Sequence, residues 1–223
     1  DYIIIDETHR AGASTYQKII NYFSPKFLLG MTASPERTDG FDIFKLFDHN
    51  IAYEIRLQKA MEEELVVPFH YFGITDLNIN GEIIDEKSDF NKLICDERVE
   101  RILDISDKYG CDDNIIRGIV FCSRKDEAYE LANKFNLKGR KSITLTGSQS
   151  EDERENAIQQ LESDNLEEKL EFIFAVDIFN EGIDIPKLNQ IIMLRPTQSA
   201  IIFVQQLGRG LRKVEGKEYL TVI

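Results

Sequence analysis

The chain has 223 residues, with 27 Lys and Arg against 40 Asp and Glu, for a formal net charge of −13. That balance excludes wholesale coating of a nucleic acid, which rests on basic side chains, and leaves room only for a local basic groove. No apolar stretch reaches membrane-spanning length. The three scattered cysteines, Cys95, Cys111 and Cys122, form no CxxC pair, which argues against a disulfide framework or a zinc site and points to a cytoplasmic protein.

The apolar run Tyr2–Ile5 reads as a strand buried on both faces, as in a parallel sheet, and ends in the acid pair Asp6-Glu7. A strand this deep in a sheet is not expected to be the first thing a complete domain makes. A short helix over 16–22 and a strand over 27–32 follow, stopped by Pro35. An acidic helix over 57–64 gives way at Leu65-Val66-Val67-Pro68 to an extended stretch, and the domain boundary is expected there, dividing 1–66 from 67–223. Beyond it the spacing predicts helix 96–109, strand 118–122, helix 125–135, strand 142–146 and helix 151–161. Strands 171–176 and 190–194, helix 199–207 and strand 219–223 complete the series. On 96–109 the predicted inner face carries one polar member, Ser106. Alternating strands and helices imply right-handed crossovers and a parallel α/β sheet. The acidic runs 62–64, 151–153 and 167–168 read as solvated faces.

Ligands of open parallel sheets bind beyond the carboxyl ends of strands. Several polar clusters fall at strand ends or helix ends: Asp6-Glu7-Thr8-His9, Thr32-Ala33-Ser34, Phe121-Cys122-Ser123-Arg124, Glu181-Gly182-Ile183-Asp184-Ile185-Pro186, and Gln205-Gln206-Leu207-Gly208-Arg209-Gly210-Leu211-Arg212. Two acids at a strand end can hold Mg²⁺ and orient a water. Arg209 and Arg212 stand three apart, the spacing of one helical turn, so both are expected to face one way, with planar forks suited to phosphate oxygens. Thr146-Gly147-Ser148, ahead of an acidic helix, offers backbone N–H groups to a phosphate.

This ordered set resembles superfamily 2 helicases and translocases from motif II to motif VI, across nearly the whole chain. The run 32–40 and the Leu-Val-Val-Pro linker look most like restriction-enzyme-type motor subunits, close to the DEAD/DEAH group. The resemblance implies a RecA-like P-loop NTPase fold, with a partial first domain followed by a nearly complete second one. It implies an ATP hydrolase that moves along nucleic acid, DNA being the expected partner, by opening and closing an interdomain cleft. Asp6 would hold Mg²⁺, Glu7 polarise the attacking water, His9 serve the nucleotide side, and Thr32 and Ser34 couple that site to the neighbouring domain. Gln205, Arg209 and Arg212 would line the ATP side, with Gly182 and Asp184 near the ribose and the arginines. Ser123, Arg124, Thr146 and Gly147 would grip the strand backbone. Where many members place a threonine, this chain has Val176.

The sequence contains no Gly-x-x-x-x-Gly-Lys-Ser/Thr. The nearest approach, Gly210 to Gly216-Lys217-Glu218, has the wrong spacing and ending. The chain is therefore expected to lack the P-loop portion of its parent and to be inactive alone. A non-enzymatic α/β scaffold and the motor part of a restriction-type endonuclease stand as alternatives. A Mg²⁺ nuclease built on Asp6 and Glu7 leaves the Gln-x-x-Gly-Arg-x-x-Arg motif unexplained. Unwinding against translocation, DNA against RNA, and polarity stay open at this stage.

Overall fold

The computed structural model describes residues 1–32, 42–79, 82–85, 87–165, 167–178, 184–195 and 200–223. They fall into two compact units, Asp1–Leu57 and Gln58–Ile223. The sequence places the boundary later, at 66/67. Residues 58–66 group with the second unit, where Glu64 pairs with Lys213 at 3.7 Å and the neighbouring Val67 N–H donates to Leu211 O at 2.9 Å.

In the first unit, strand β1 (Tyr2–Ile5) pairs in parallel with β2 (Phe27–Gly30), joined by helix α1 (Ser14–Phe23). Ile5, Ala11 and Ile43 form its small core, with Tyr16 and Ile20 of α1 packed against them. The expectation that β1 is buried on both faces is not met. Tyr2 is 79% exposed and Ile4 62%, whereas Ile5 is buried. Side chains alternate across a strand, and here only one face meets α1 and the small core.

The second unit begins with helix α2 (Leu57–Glu62), whose first residue closes the first unit, and strand β3 (Phe69–Tyr71). A small antiparallel pair, β4 (Asn78–Ile79) and β5 (Glu82–Ile83), follows, and then helices α3 (Phe90–Leu93) and α4 (Asp96–Tyr109). The alternating series is β6 (Gly118–Phe121), α5 (Lys125–Leu137), β7 (Ser142–Leu145), α6 (Glu151–Glu162), β8 (Phe172–Ala175), β9 (Gln190–Met193), α7 (Ala200–Gly208) and β10 (Leu220–Val222). Six strands form one sheet in the order β3-β10-β9-β6-β8-β7, and every pairing is parallel. After β8 the chain crosses β6 to reach β9, so the strand order reverses around β6.

Central strands of such a sheet are covered on both faces. All four residues of β6 and of β8 are buried. The Phe135 ring of α5 meets Phe172 and Phe174 edge-on, with centroids 5.3 and 4.9 Å apart. The polar member of the α4 face is also buried and satisfied. Ser106 Oγ donates to Gln190 Oε1 at 2.6 Å, and Gln190 Nε2 returns bonds to the Ser106 and Gly110 carbonyls. An unpaired amide there would cost the desolvation of each group. Among the described residues no helix is long and apolar enough to cross a membrane.

Candidate functional site

In the first unit, β1 delivers Asp6 and Glu7 to its carboxyl end. Asp6 is exposed, and its Oδ1 accepts the Glu7 N–H at 2.9 Å. Glu7 has left-handed backbone angles (φ 48°, ψ 47°), which are uncommon for a residue with a Cβ. Such strain persists where surrounding contacts fix it, and it clusters at functional sites. Here those contacts are visible. Thr8, opening the 3-10 turn Thr8–Arg10, donates its N–H to Met31 O at 2.8 Å, and Met31 N–H donates to Ile5 O at 2.9 Å. The loop after β1 is thereby stitched to the residues after β2. His9 Nδ1 and Thr32 Oγ1 come to 3.0 Å across 23 residues of sequence. Glu7 Oε2 lies 3.3 Å from His9 Nδ1, buried and without a hydrogen-bond partner. Ser34 lies outside the described residues.

Among the described residues no group of three or more His, Cys, Asp or Glu could cage a metal. Mg²⁺ of the kind held by a single carboxylate, water and substrate phosphates would nonetheless need only the exposed Asp6.

The second unit carries its motifs at opposite ends of the sheet. At the carboxyl ends, Ser123 and Arg124 follow β6, and Thr146 and Gly147 follow β7. Ser123 Oγ is buried without a hydrogen-bond partner. Arg124 forms a two-pronged pair with Asp126, Nε to Oδ1 at 3.1 Å and Nη2 to Oδ2 at 2.6 Å, and its guanidinium lies over the Phe90 ring. Side-chain hydrogen bonding from Arg124 lowers the Asp126 pKa. Behind this loop the buried Arg98 binds Asp76, Glu127 and the Leu93 carbonyl at 2.7–2.9 Å, fixing the first turn of α5. Burial pulls the Arg98 pKa down, but Asp76 and Glu127 outweigh it and the net shift is upward.

Thr146 is fully buried, and its N–H and hydroxyl both engage Gln149 Oε1. It therefore shapes the loop, while Gly147 is the exposed tip, with open space around its Cα. Ser150 and Glu153 close a reciprocal capping box at the start of α6. Val176, the departure from the family pattern, is buried in the core and offers nothing to a phosphate.

At the other end lie the residues that lead into β9 and β10. Gln205 is nearly buried on α7. Arg209 and Arg212 do not share a helical turn, because α7 ends at Gly208. Gly210 N–H closes a turn onto Leu207 O at 2.9 Å, and the chain then runs on to Leu211, whose carbonyl accepts from Val67. Arg212 instead finds Asp184, in an ion pair joining two clusters 28 residues apart in sequence. Gly182 lies outside the described residues. One residue that the sequence left without a role, Lys217, reaches into the same place.

The helicase conserved C-terminal domain family matches residues 97–214, more than half of the chain. This chain belongs to that family. Residues 1–37 also match the res subunit of type III restriction enzymes. Relatives include a 51.5 kDa protein of a Lactococcus phage, 26% identical over 99% of this chain and 48% of the relative. The type I restriction enzyme EcoAI endonuclease subunit of Escherichia coli is 24% identical, over 100% and 31%. A structure described as a fragment of an HsdR subunit of a type I restriction enzyme from Vibrio vulnificus superposes with a TM-score of 0.74 at 23% identity, covering 100% of this chain and 43% of that one. The fold is thus the RecA-like α/β fold expected from the motifs, and the restriction-type resemblance is borne out. The chain spans about a third to a half of the length of these curated relatives.

Proposed function

We propose that this chain supplies the motor core of an ATP-dependent nucleic-acid translocase of the restriction-enzyme type, acting on DNA. Residues 1–57 contribute to a first RecA-like domain and 58–223 form the second. Glu7 orients the water that attacks the γ-phosphate, and Asp6 holds Mg²⁺, which when bound would neutralise phosphate charge. Arg209 and Arg212 stabilise charge on the transferring phosphoryl group. Gln205, Asp184 and Gly182 serve the nucleotide beside them. His9 with Thr32, and Ser34 after it, relay the state of the nucleotide. Ser123, Arg124 and Gly147 hold the nucleic-acid backbone, with Thr146 shaping the loop that presents Gly147. For Arg124 this means exchanging Asp126 for a phosphate, a swap between two acceptors of matching geometry.

The observation that carries this reading is the His9–Thr32 contact beside Glu7, because it unites two sequence-distant motifs around that left-handed acid. The restriction-enzyme relatives favour DNA. Turnover needs a phosphate-binding loop, which these 223 residues do not contain. The test is therefore made in the natural protein that carries them together with such a loop. Arg209→Ala should lower nucleic-acid-stimulated ATP turnover by about three orders of magnitude or more if it acts as an arginine finger. A wild-type rate removes it from the mechanism.

A further inference from the structure

Lys217 is the residue that makes Gly216-Lys217 look like the end of a phosphate-binding loop. The fold uses it otherwise. Val214 to Lys217 is a tight turn, with Lys217 N–H donating to Val214 O at 3.2 Å and Gly216 at φ +82°, where a side chain would be strained. The turn sends the lysine side chain back under the protein. Its Nζ donates to Pro186 O at 2.9 Å and to Gly210 O at 2.5 Å. One ammonium thus bridges the Asp184-Ile185-Pro186 loop and the segment between Arg209 and Arg212.

One further contact joins the same loops. Arg212 pairs with Asp184. Gly210 sits so close to its neighbours that an added Cβ would lie 2.7 Å from Leu220 and 3.3 Å from Leu188. Asp112 Oδ2 accepts the Glu218 N–H at 2.6 Å and anchors the chain just beyond the lysine. Burial pushes the Lys217 pKa down to about 8, against the upward pull of Asp112, Glu162 and Asp184. A charge held where burial disfavours it is poorly explained by stability alone.

We propose that Lys217 is a positioning residue: it clamps the 184–186 loop to the 209–212 segment and so sets where the two arginines stand. The proposal rests on the motor reading for its effect on turnover, but the clamp itself does not. Lysine can satisfy both carbonyls with two of its three donors, methionine with none, and arginine with its fork.

The experiment compares Lys217→Met, Lys217→Arg and Arg209→Ala with wild type in two assays. Amide exchange on this 223-residue chain follows Val67 and Gly210, whose N–H bonds end on Leu211 and Leu207. Steady-state ATP hydrolysis is measured in the natural protein. Lys217→Met should speed exchange at Val67 and Gly210 and leave β6 and β8 unchanged. It should lower kcat by about 10- to 100-fold, as misplaced catalytic groups do, while Lys217→Arg recovers most of both losses. The KM for ATP should stay within about twofold, since the loss falls on the transition state. Unchanged exchange, or a wild-type kcat beside a crippled Arg209→Ala, overturns the clamp. So does a loss of kcat with faster exchange throughout β6 and β8 and no recovery by arginine. If Arg209→Ala turns over normally while exchange responds as expected, the motor reading fails and the clamp stands.

Discussion

Strands β1 and β6 look alike in sequence and differ in the fold. Each is a four-residue apolar run in a parallel sheet, and each delivers a polar motif at its carboxyl end. β6 is flanked by β8 on one side and β9 on the other, and is buried along its whole length. Among the described residues β1 pairs with β2 alone and buries only Ile5. Apolar content therefore states that a strand can be buried. Its neighbours decide how much of it is. The motif after β6 stands on a finished two-faced core. The Asp6–Glu7 motif is held by local stitching to Met31 and Thr32.

Truncating isoleucines gives the comparison a scale. Ile119→Ala, in the fully buried centre of β6, should cost about 2–5 kcal/mol, the usual range for emptying a core site. Ile5→Ala, the buried end of β1, should lie near the lower end of that range, at about 2 kcal/mol, because the small core around it can collapse. Ile4→Ala, on the exposed face, should stay within about 0.5 kcal/mol. Amide exchange in each unit reports the three values separately. Equal losses at Ile4 and Ile119 would break the comparison.

The helix starts differ in the same sense. α6 has the Ser150–Glu153 capping box, whereas α1 begins after Ala13 with no side-chain cap. Ser150→Ala should cost about 1 kcal/mol, read by denaturant unfolding of the second unit. A change within error would mean that the cap holds only the loop that presents Gly147.

Much of the second unit was legible. Helical periodicity places α4 at the same bounds the structure has, and Ser106, its odd polar member, proves to be a buried hydrogen-bonded partner of Gln190. The strand-and-helix alternation yields the parallel sheet. The β4–β5 pair and α3 escaped, because elements of two to four residues carry no readable period. The exposure of β1 escaped because pairing is set by tertiary context.

At the candidate site the residue types were legible and their partners were not. Spacing suggested that Arg209 and Arg212 share a helical face, but the helix stops at Gly208 and Arg212 turns to Asp184. Lys217 was visible only as a failed phosphate-loop match. Its Gly-Lys signal was a turn that aims a lysine inward, which no spacing rule distinguishes from an outward one.

In the proposed motor, Glu7, left-handed beyond β1, orients the water that cleaves ATP. The direct test of this role is Glu7→Gln in the natural protein, with nucleic-acid-stimulated phosphate release and ATP binding measured on the same preparation. Release should fall to background while ATP binding stays close to wild type. Hydrolysis at the wild-type rate by the variant would contradict it.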